Sequence, residues 1–273
     1  YQIYSSNYLV TTDTRAIKKG AIFFSLQGDH FNGNKFAEIA IQKGARYAVI
    51  DDINYQIKEK TILVDNVLYT LQKLANYHRQ QLKIQIIGIT GSNGKTTTKE
   101  LIHAVLATQF KAKATKGNLN NHIGVPLTLL SFTNKTEVGI VEMGANHQKE
   151  IEFLCSICEP DIGFITNFGK AHLEGFGGIE GVIKGKSELY TYLKKNNKLA
   201  FIDATDAKQI ELTKSIQRIP LDSTITISFR QPLLSINYNN EIINTQLIGT
   251  YNLNNLKAAI SIGQHYKITR KNI

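Results

Sequence analysis

Apolar residues in this chain gather in short runs of strand length, and between the runs they recur three and four positions apart. Strand-like runs at Ala21–Leu26, Tyr47–Ile50 and Thr61–Val64 alternate with helical patterns over Lys35–Lys43 and Val67–Gln81. Such alternation predicts a small α/β unit. Gly44 stands where the first of these helices should end, and Gly28 with Asn32-Gly33 marks a loop. After Leu82–Gln85 the pattern starts again with a strand over Ile84–Thr90, a glycine loop and a helix from Lys95 to about Thr108. Further strands are expected at Val138–Glu142, Asp161–Thr166 and Lys198–Ile202, with helices over Gln148–Cys158 and Ile179–Leu193. Short apolar strands joined by helices predict a mainly parallel sheet covered on both faces. Near the end, Thr224–Phe229 and Leu233–Ile248 read as antiparallel strands, with a hairpin turn at Asn239-Asn240. The expected fold class is α/β. A small N-terminal α/β domain over 1–83 precedes a central domain over 84–273 that carries the glycine loop.

Composition narrows the class without naming a chemistry. Hydrophobic residues at 42% and charged residues at 20% fit an ordinary globular protein. The longest apolar runs, such as Ile86–Ile89, fall far short of a bilayer span, and no basic-then-apolar leader opens the chain. No membrane insertion and a cytoplasmic location are therefore expected. The net charge of +10 is spread over both units and not gathered in a stripe, which favours a solvated basic surface over a nucleic-acid partner. Lys111, Lys113 and Lys116 do run toward the suspected site. The two cysteines, Cys155 and Cys158, are spaced as a redox pair or half a zinc site would be, but no second pair exists. They share a helix face with Ile151 and Leu154, so buried core thiols are expected.

The sharpest local signal is Thr90-Gly91-Ser92-Asn93-Gly94-Lys95-Thr96-Thr97, set between a predicted strand and a predicted helix. Glycines let backbone N–H groups wrap phosphate oxygens, and the helix N-terminus adds a favourable dipole. Lys95 would neutralise β- and γ-phosphates and the Thr96 hydroxyl would ligate Mg²⁺. The loop is the shorter form of the motif, because Ile89 stands where the longer one begins with glycine.

A phosphate loop needs an acidic partner, and parallel sheets place ligands at the carboxyl ends of strands. Glu142 closes the strand Val138–Glu142, and His172 follows the next one. A carboxylate and a neutral imidazole on that rim make a candidate second metal site. Lys184 and Lys186 lie on the helix after His172. By residue chemistry each is a solvated helix lysine, or a neutral amine that carries CO₂ as a carbamate.

Together, Thr90–Thr97, Glu142, His172–Lys186 and Gly249-Thr250-Tyr251-Asn252-Leu253-Asn254-Asn255 resemble the Mur ligases, which build the peptide of bacterial cell-wall precursors. Lys116–Pro126, Glu142–Asn146, Asp13–Gly20, Phe23–Leu26 and Asn32-Gly33 extend the resemblance over nearly the whole chain. These stretches are most similar to the members that join D-alanyl-D-alanine to UDP-N-acetylmuramoyl-tripeptide. Other amino-acid ligases of the family, or a non-catalytic nucleotide-binding scaffold, are the alternatives.

The resemblance implies ATP and Mg²⁺ as cofactors and assigns roles by position. Gly91, Ser92, Asn93, Gly94, Lys95, Thr96 and Thr97 would hold the phosphates, and Asn252 and Asn255 the rest of ATP. Thr96, Glu142, His172 and a carbamylated Lys186 would hold metal. Asn118, Asn120 and Asn121 would face the muramoyl-peptide, while Thr14, Asp29, His30 and Phe31 would hold the uridine. Asn34 stands where many relatives have histidine. A monomer is expected. The family's third, C-terminal domain is absent from this sequence, so a fragment with little ligase turnover is expected.

Overall fold

The run Gln85–Thr90 is buried from its second residue onward and forms the centre of a six-stranded sheet. In space the order is Gln217–Pro220, Leu199–Ile202, Ile162–Ile165, Gln85–Thr90, Val138–Glu142 and Ala112–Ala114. Every neighbouring pair is parallel. The central strand pairs with Ile162–Ile165 on one side and Val138–Glu142 on the other, so the connections diverge there. In such a sheet the crevice at the carboxyl end of the dividing strand is the place for a ligand. The structure, a computed structural model, describes residues 1–230 and 232–273.

A second parallel sheet, ordered Val10–Thr11, Ile22–Phe24, Tyr47–Ile50 and Thr61–Leu63, belongs to the N-terminal unit. The helix Val67–Gln81 joins the two units. Asn66 starts it by accepting a hydrogen bond from Tyr69 N at 2.7 Å. It packs against the helices Gly124–Ser131 and Glu150–Cys158, and one apolar core runs from Val49 and Leu71 through Leu129 to Val141 and Leu154. Polar pins cross the same seam: Tyr4 Oη donates to Leu130 O at 2.7 Å, and His78 Nε2 lies 3.0 Å from Phe132 O.

Most of the periodicity is realised close to its expected bounds, and the departures have physical reasons. Residues 33–36 wind as a 3₁₀ turn before the helix Ala37–Gln42, because Asn32 Oδ1 caps Asn34 N at 2.9 Å. The helix Gly124–Ser131 lies outside the elements that periodicity predicts, because Gly124 and Pro126 mask a helical stretch whose first turn tolerates proline. Also unforeseen are the edge strands Ala112–Ala114 and Gln217–Pro220, which are partly exposed and carry no clean alternation. The C-terminal ribbon is antiparallel as expected, pairing Thr226–Phe229, Ser235–Tyr238 and Glu241–Asn244. Asn239 and Asn240 turn its hairpin at φ 52° and 65°. Among the described residues, no helix is long and apolar enough to cross a membrane.

Candidate active site

The glycine loop occupies the crevice, held from outside by Thr166-Asn167, which follow directly on the strand Ile162–Ile165. Thr166 Oγ1 donates to Asn93 O at 2.6 Å, Asn167 O accepts from Ser92 N at 3.1 Å, and Ser92 Oγ donates to Gly169 O at 2.7 Å. Gly91, at φ 138°, lies so close to Thr166 that any Cβ there would collide with its side chain. The helix Lys95–Ala107 starts directly after Gly94, so its first-turn amides face the loop without intrahelical acceptors. Lys95 Nζ folds back onto Gly91 O at 2.7 Å and Ser92 O at 3.2 Å. Burial pushes its ammonium below the usual lysine range, and Glu142 offsets part of that.

Glu142 is the acidic centre. Its carboxylate is 1% exposed, although it ends a strand. Oε1 accepts from Asn120 Nδ2 at 2.8 Å and Thr96 Oγ1 at 3.2 Å. Oε2 is buried with no hydrogen-bond partner among the described residues. A carboxylate oxygen in that condition is costly unless something cationic meets it. The nearest cation is Lys99 Nζ at 3.7 Å, a fully buried ammonium that sequence reading passed over. Four positions from Lys95, it sits one helical turn further along the same face. No sequence signal distinguishes it from a solvated helix lysine.

The three asparagines expected to act together are divided. Asn120 reaches Glu142. Asn121 Oδ1 accepts from Ile123 N and Gly124 N at 3.1 and 2.9 Å, opening a helix, and Asn118 is exposed. A cleft of about 360 Å³ is lined by Lys95, Asn120, Asn121, Glu150 and His172 among others. His172 is exposed, with φ at 52°. Among the described residues no three His, Cys, Asp or Glu side chains gather as a metal-binding group. Any ion here must take ligands from elsewhere, as Mg²⁺ does from substrate phosphates and water.

Lys186 lies behind this cleft, 1% exposed, donating to Ala145 O at 2.9 Å and standing 4.9 Å over the Phe176 ring. Burial first, and the like charge of Lys95 second, push it down to about 8. Asn252 and Asn255 lie on the other flank, both buried. Asn255 Nδ2 donates to Asn252 Oδ1 at 2.8 Å, and Asn255 Oδ1 accepts from Thr98 Oγ1 at 3.0 Å, so this pair buttresses the loop helix.

In the N-terminal unit, Asp29 and His30 form the tip of a two-stranded hairpin, Gln27–Gly28 with Phe31–Asn32, and Phe31 stacks on Phe36 at 5.4 Å. Asn34 is fully buried, bonded to Asp51 at 2.8 Å. A cleft of about 920 Å³ opens where this unit meets the loop 115–119, lined by Thr11, Thr12, Asp13, His103, Lys113 and Lys116 among others. Neither Thr14 nor the stretch Asp29–Phe31 lines it.

A parallel sheet with a phosphate loop at its dividing strand, and a buried carboxylate beside the loop's threonine, describes a nucleotide-dependent enzyme domain. Residues 89–263 match the family model described as Mur ligase middle domain, and residues 7–79 match the one described as Mur ligase family, catalytic domain. This chain belongs to the Mur ligase family. Within it, the chain is 42% identical over 195 residues to the UDP-N-acetylmuramoyl-tripeptide–D-alanyl-D-alanine ligase of Bacillus subtilis, covering 71% of this chain and 43% of that protein. The enzyme of the same name from Buchnera aphidicola subsp. Baizongia pistaciae is 34% identical, covering 95% of this chain and 62% of its own length. The crystal structure of MurF from Acinetobacter baumannii superposes with a TM-score of 0.81 at 28% identity, covering 96% of this chain and 60% of that one. A UDP-N-acetylmuramoyl-L-alanyl-D-glutamate–2,6-diaminopimelate ligase shares the fold at a TM-score of 0.56. The chain thus spans less than two thirds of these relatives.

Proposed function

We propose that this chain provides the substrate-binding and ATP-binding parts of a ligase that joins D-alanyl-D-alanine to UDP-N-acetylmuramoyl-tripeptide. Residues 1–83 form the unit that holds the uridine-linked substrate, through Thr14 and the hairpin Asp29-His30-Phe31. Residues 84–273 hold ATP, on Gly91–Thr97 and beside Asn252 and Asn255. ATP transfers its γ-phosphoryl group to the terminal carboxylate of the tripeptide. The amine of D-alanyl-D-alanine then attacks the acyl phosphate, and phosphate leaves as the amide forms. Lys95 faces the charge that develops on the transferring oxygens. The observation that carries this reading is Glu142 Oε2, a buried carboxylate oxygen without a donor, with Thr96 bonded to its twin.

Thr96 and Glu142 suit Mg²⁺, which takes one or two protein oxygens and completes its shell from phosphates and water. Bound there, the ion would neutralise phosphate charge during transfer. His172 lines the cleft that Lys95 lines, where it can serve a second ion. Lys186, pushed down to about 8, keeps a neutral fraction near physiological pH. That amine can add CO₂ and release a proton, giving a carbamate as a further anionic oxygen ligand. We read the protein as a cytoplasmic monomer without membrane insertion.

Calorimetric titration of the chain with a non-hydrolysable Mg²⁺–ATP analogue, and separately with UDP-N-acetylmuramoyl-tripeptide, tests the proposal. Both should bind, and Lys95→Ala should weaken the nucleotide at least tenfold while leaving the folded circular dichroism spectrum intact. Nucleotide binding without any UDP-tripeptide binding would move the chain to another amino-acid ligase of the family.

A further inference from the structure

Lys99 is a fully buried charge to which the proposed reaction gives no task. Its ammonium donates to Gly117 O at 3.1 Å, lies 2.9 Å from Glu100 Oε1, and stops 3.7 Å short of Glu142 Oε2. Glu100 is 59% exposed, so a surface carboxylate and a loop carbonyl hold a buried cation just outside hydrogen-bond range of the carboxylate oxygen that lacks a donor. We propose that Lys99 regulates entry of the divalent cation: it suppresses cation binding at Glu142 until nucleotide phosphates are present. This rests on the reading of Glu142 as a cation ligand.

The argument is electrostatic. A divalent ion on Glu142 Oε2 would sit within a few ångströms of a buried ammonium, where like charges repel strongly even at an effective dielectric of about 20. Glu142 is the one buried carboxylate among the described residues, and with Lys95 and Lys99 beside it the buried wall of the crevice offers a free ion little net negative charge, although Glu150 lines the rim. Nucleotide phosphates reverse that balance and bring oxygens to complete the shell. The held-off distance matters equally. A closer ammonium would take the Oε2 lone pair, whereas 3.7 Å leaves that lone pair open to a metal. Because Gly117 belongs to the loop that leads to Asn120, the same ammonium also ties that loop to the carboxylate.

Opposite signs for two adjacent substitutions make the test. Binding of Mn²⁺ alone to the nucleotide-free 273-residue chain would be followed by electron paramagnetic resonance at pH 8, with folding checked by circular dichroism. Lys99→Met should tighten Mn²⁺ on the order of tenfold or more, and should shrink the gain in Mn²⁺ affinity that an ATP analogue gives. Glu100→Gln, on an exposed side chain that tolerates change, frees Lys99 to close on Glu142 and should weaken Mn²⁺ several-fold. In the Lys99→Met background the Glu100→Gln effect should vanish, since it acts through the ammonium. Unchanged or weaker Mn²⁺ binding in folded Lys99→Met would overturn the proposal, as would a Glu100→Gln effect that persists without Lys99. Glu142→Gln separates the two levels. If it leaves Mn²⁺ binding intact, Glu142 is not a ligand and the underlying reading fails. If it abolishes binding while the Lys99 and Glu100 variants move nothing, only the inference about Lys99 fails.

Discussion

Gly94 and Asn255 are packed so closely that a Cβ on the glycine would lie 2.7 Å from the Asn255 Oδ1 atom. The last glycine of the phosphate loop therefore rests on a helix that begins more than 150 residues later, and the loop's shape depends on that helix being docked. Asn255 also bonds Thr98 and Asn252, and both bonds are buried. Asn255→Ala would leave Asn252 Oδ1 and the Thr98 hydroxyl without these partners. It should cost about 1–3 kcal/mol in urea unfolding and weaken nucleotide binding with it. Gly94→Ala should abolish nucleotide binding, because the residue holds φ at 79° as well as lacking space. Wild-type nucleotide affinity in folded Gly94→Ala would show that the loop does not need this contact.

Arg79 closes the seam between the two units. It donates to Cys158 O at 3.0 Å, Glu159 O at 2.9 Å and Asp161 Oδ2 at 2.7 Å, and also reaches Leu82 O and Ile84 O. Removing the guanidinium leaves several carbonyls without their donor, while Asp161 keeps Lys198 Nζ at 2.6 Å and Ile86 N at 3.0 Å, so Arg79→Ala should lose about 1–3 kcal/mol in denaturant unfolding. Arg79→Lys should recover little, because one ammonium cannot span the fork of acceptors. Full stability of the lysine variant would mean that charge alone matters here.

What the sequence made legible follows from how each signal is written. The helix Val67–Gln81 and the strands Tyr47–Ile50 and Val138–Glu142 lie at the bounds that periodicity predicts, since each buries one regular stripe or a whole run. The loop Thr90–Thr97 is legible because its glycines encode backbone conformation. Side-chain roles that depend on tertiary placement were not. Asn118, Asn120 and Asn121 look alike in sequence, yet one is exposed, one bonds the acidic centre and one starts a helix. Lys99 reads as a solvent lysine because nothing local tells that the loop carrying Gly117 folds over it.

Cys155 and Cys158 are unpaired by disulfide, buried, and set 3.8 and 3.6 Å from Met143 Sδ. Desolvation raises both thiols, Cys158 to about 12, so the thiolate that a disulfide reagent needs is scarce. The native protein should therefore show no reaction with Ellman's reagent over minutes, and both thiols should react once denaturant is added. Rapid labelling of either one in the folded state would mean that the helix Glu150–Cys158 opens locally.

Lys186 gives the fold a measurable pH dependence. Its amine is pushed down from 10.5 to about 8, chiefly by burial, with Lys95 adding repulsion and Glu150 and Glu188 opposing it. Below pH 8 both the folded and unfolded chains carry the proton, and the full penalty of a buried ammonium weighs on the fold. Between about pH 8 and the unfolded lysine value near 10.4, the unfolded chain binds a proton that the folded chain does not, so this contribution to stability rises with pH. A shift of that size corresponds to about 3 kcal/mol across the window. Lys186→Met keeps the apolar stem and removes the titration, giving up one hydrogen bond to Ala145 O. In carbon-dioxide-free buffer, the stability of Lys186→Met relative to wild type should be greatest at pH 7 and should shrink as pH rises to 10. Urea unfolding of both proteins at pH 7, 8.5 and 10 reads that difference directly. A difference that stays constant with pH would show that the Lys186 ammonium is not penalised in the fold, and would remove the reason for expecting its amine to react with CO₂.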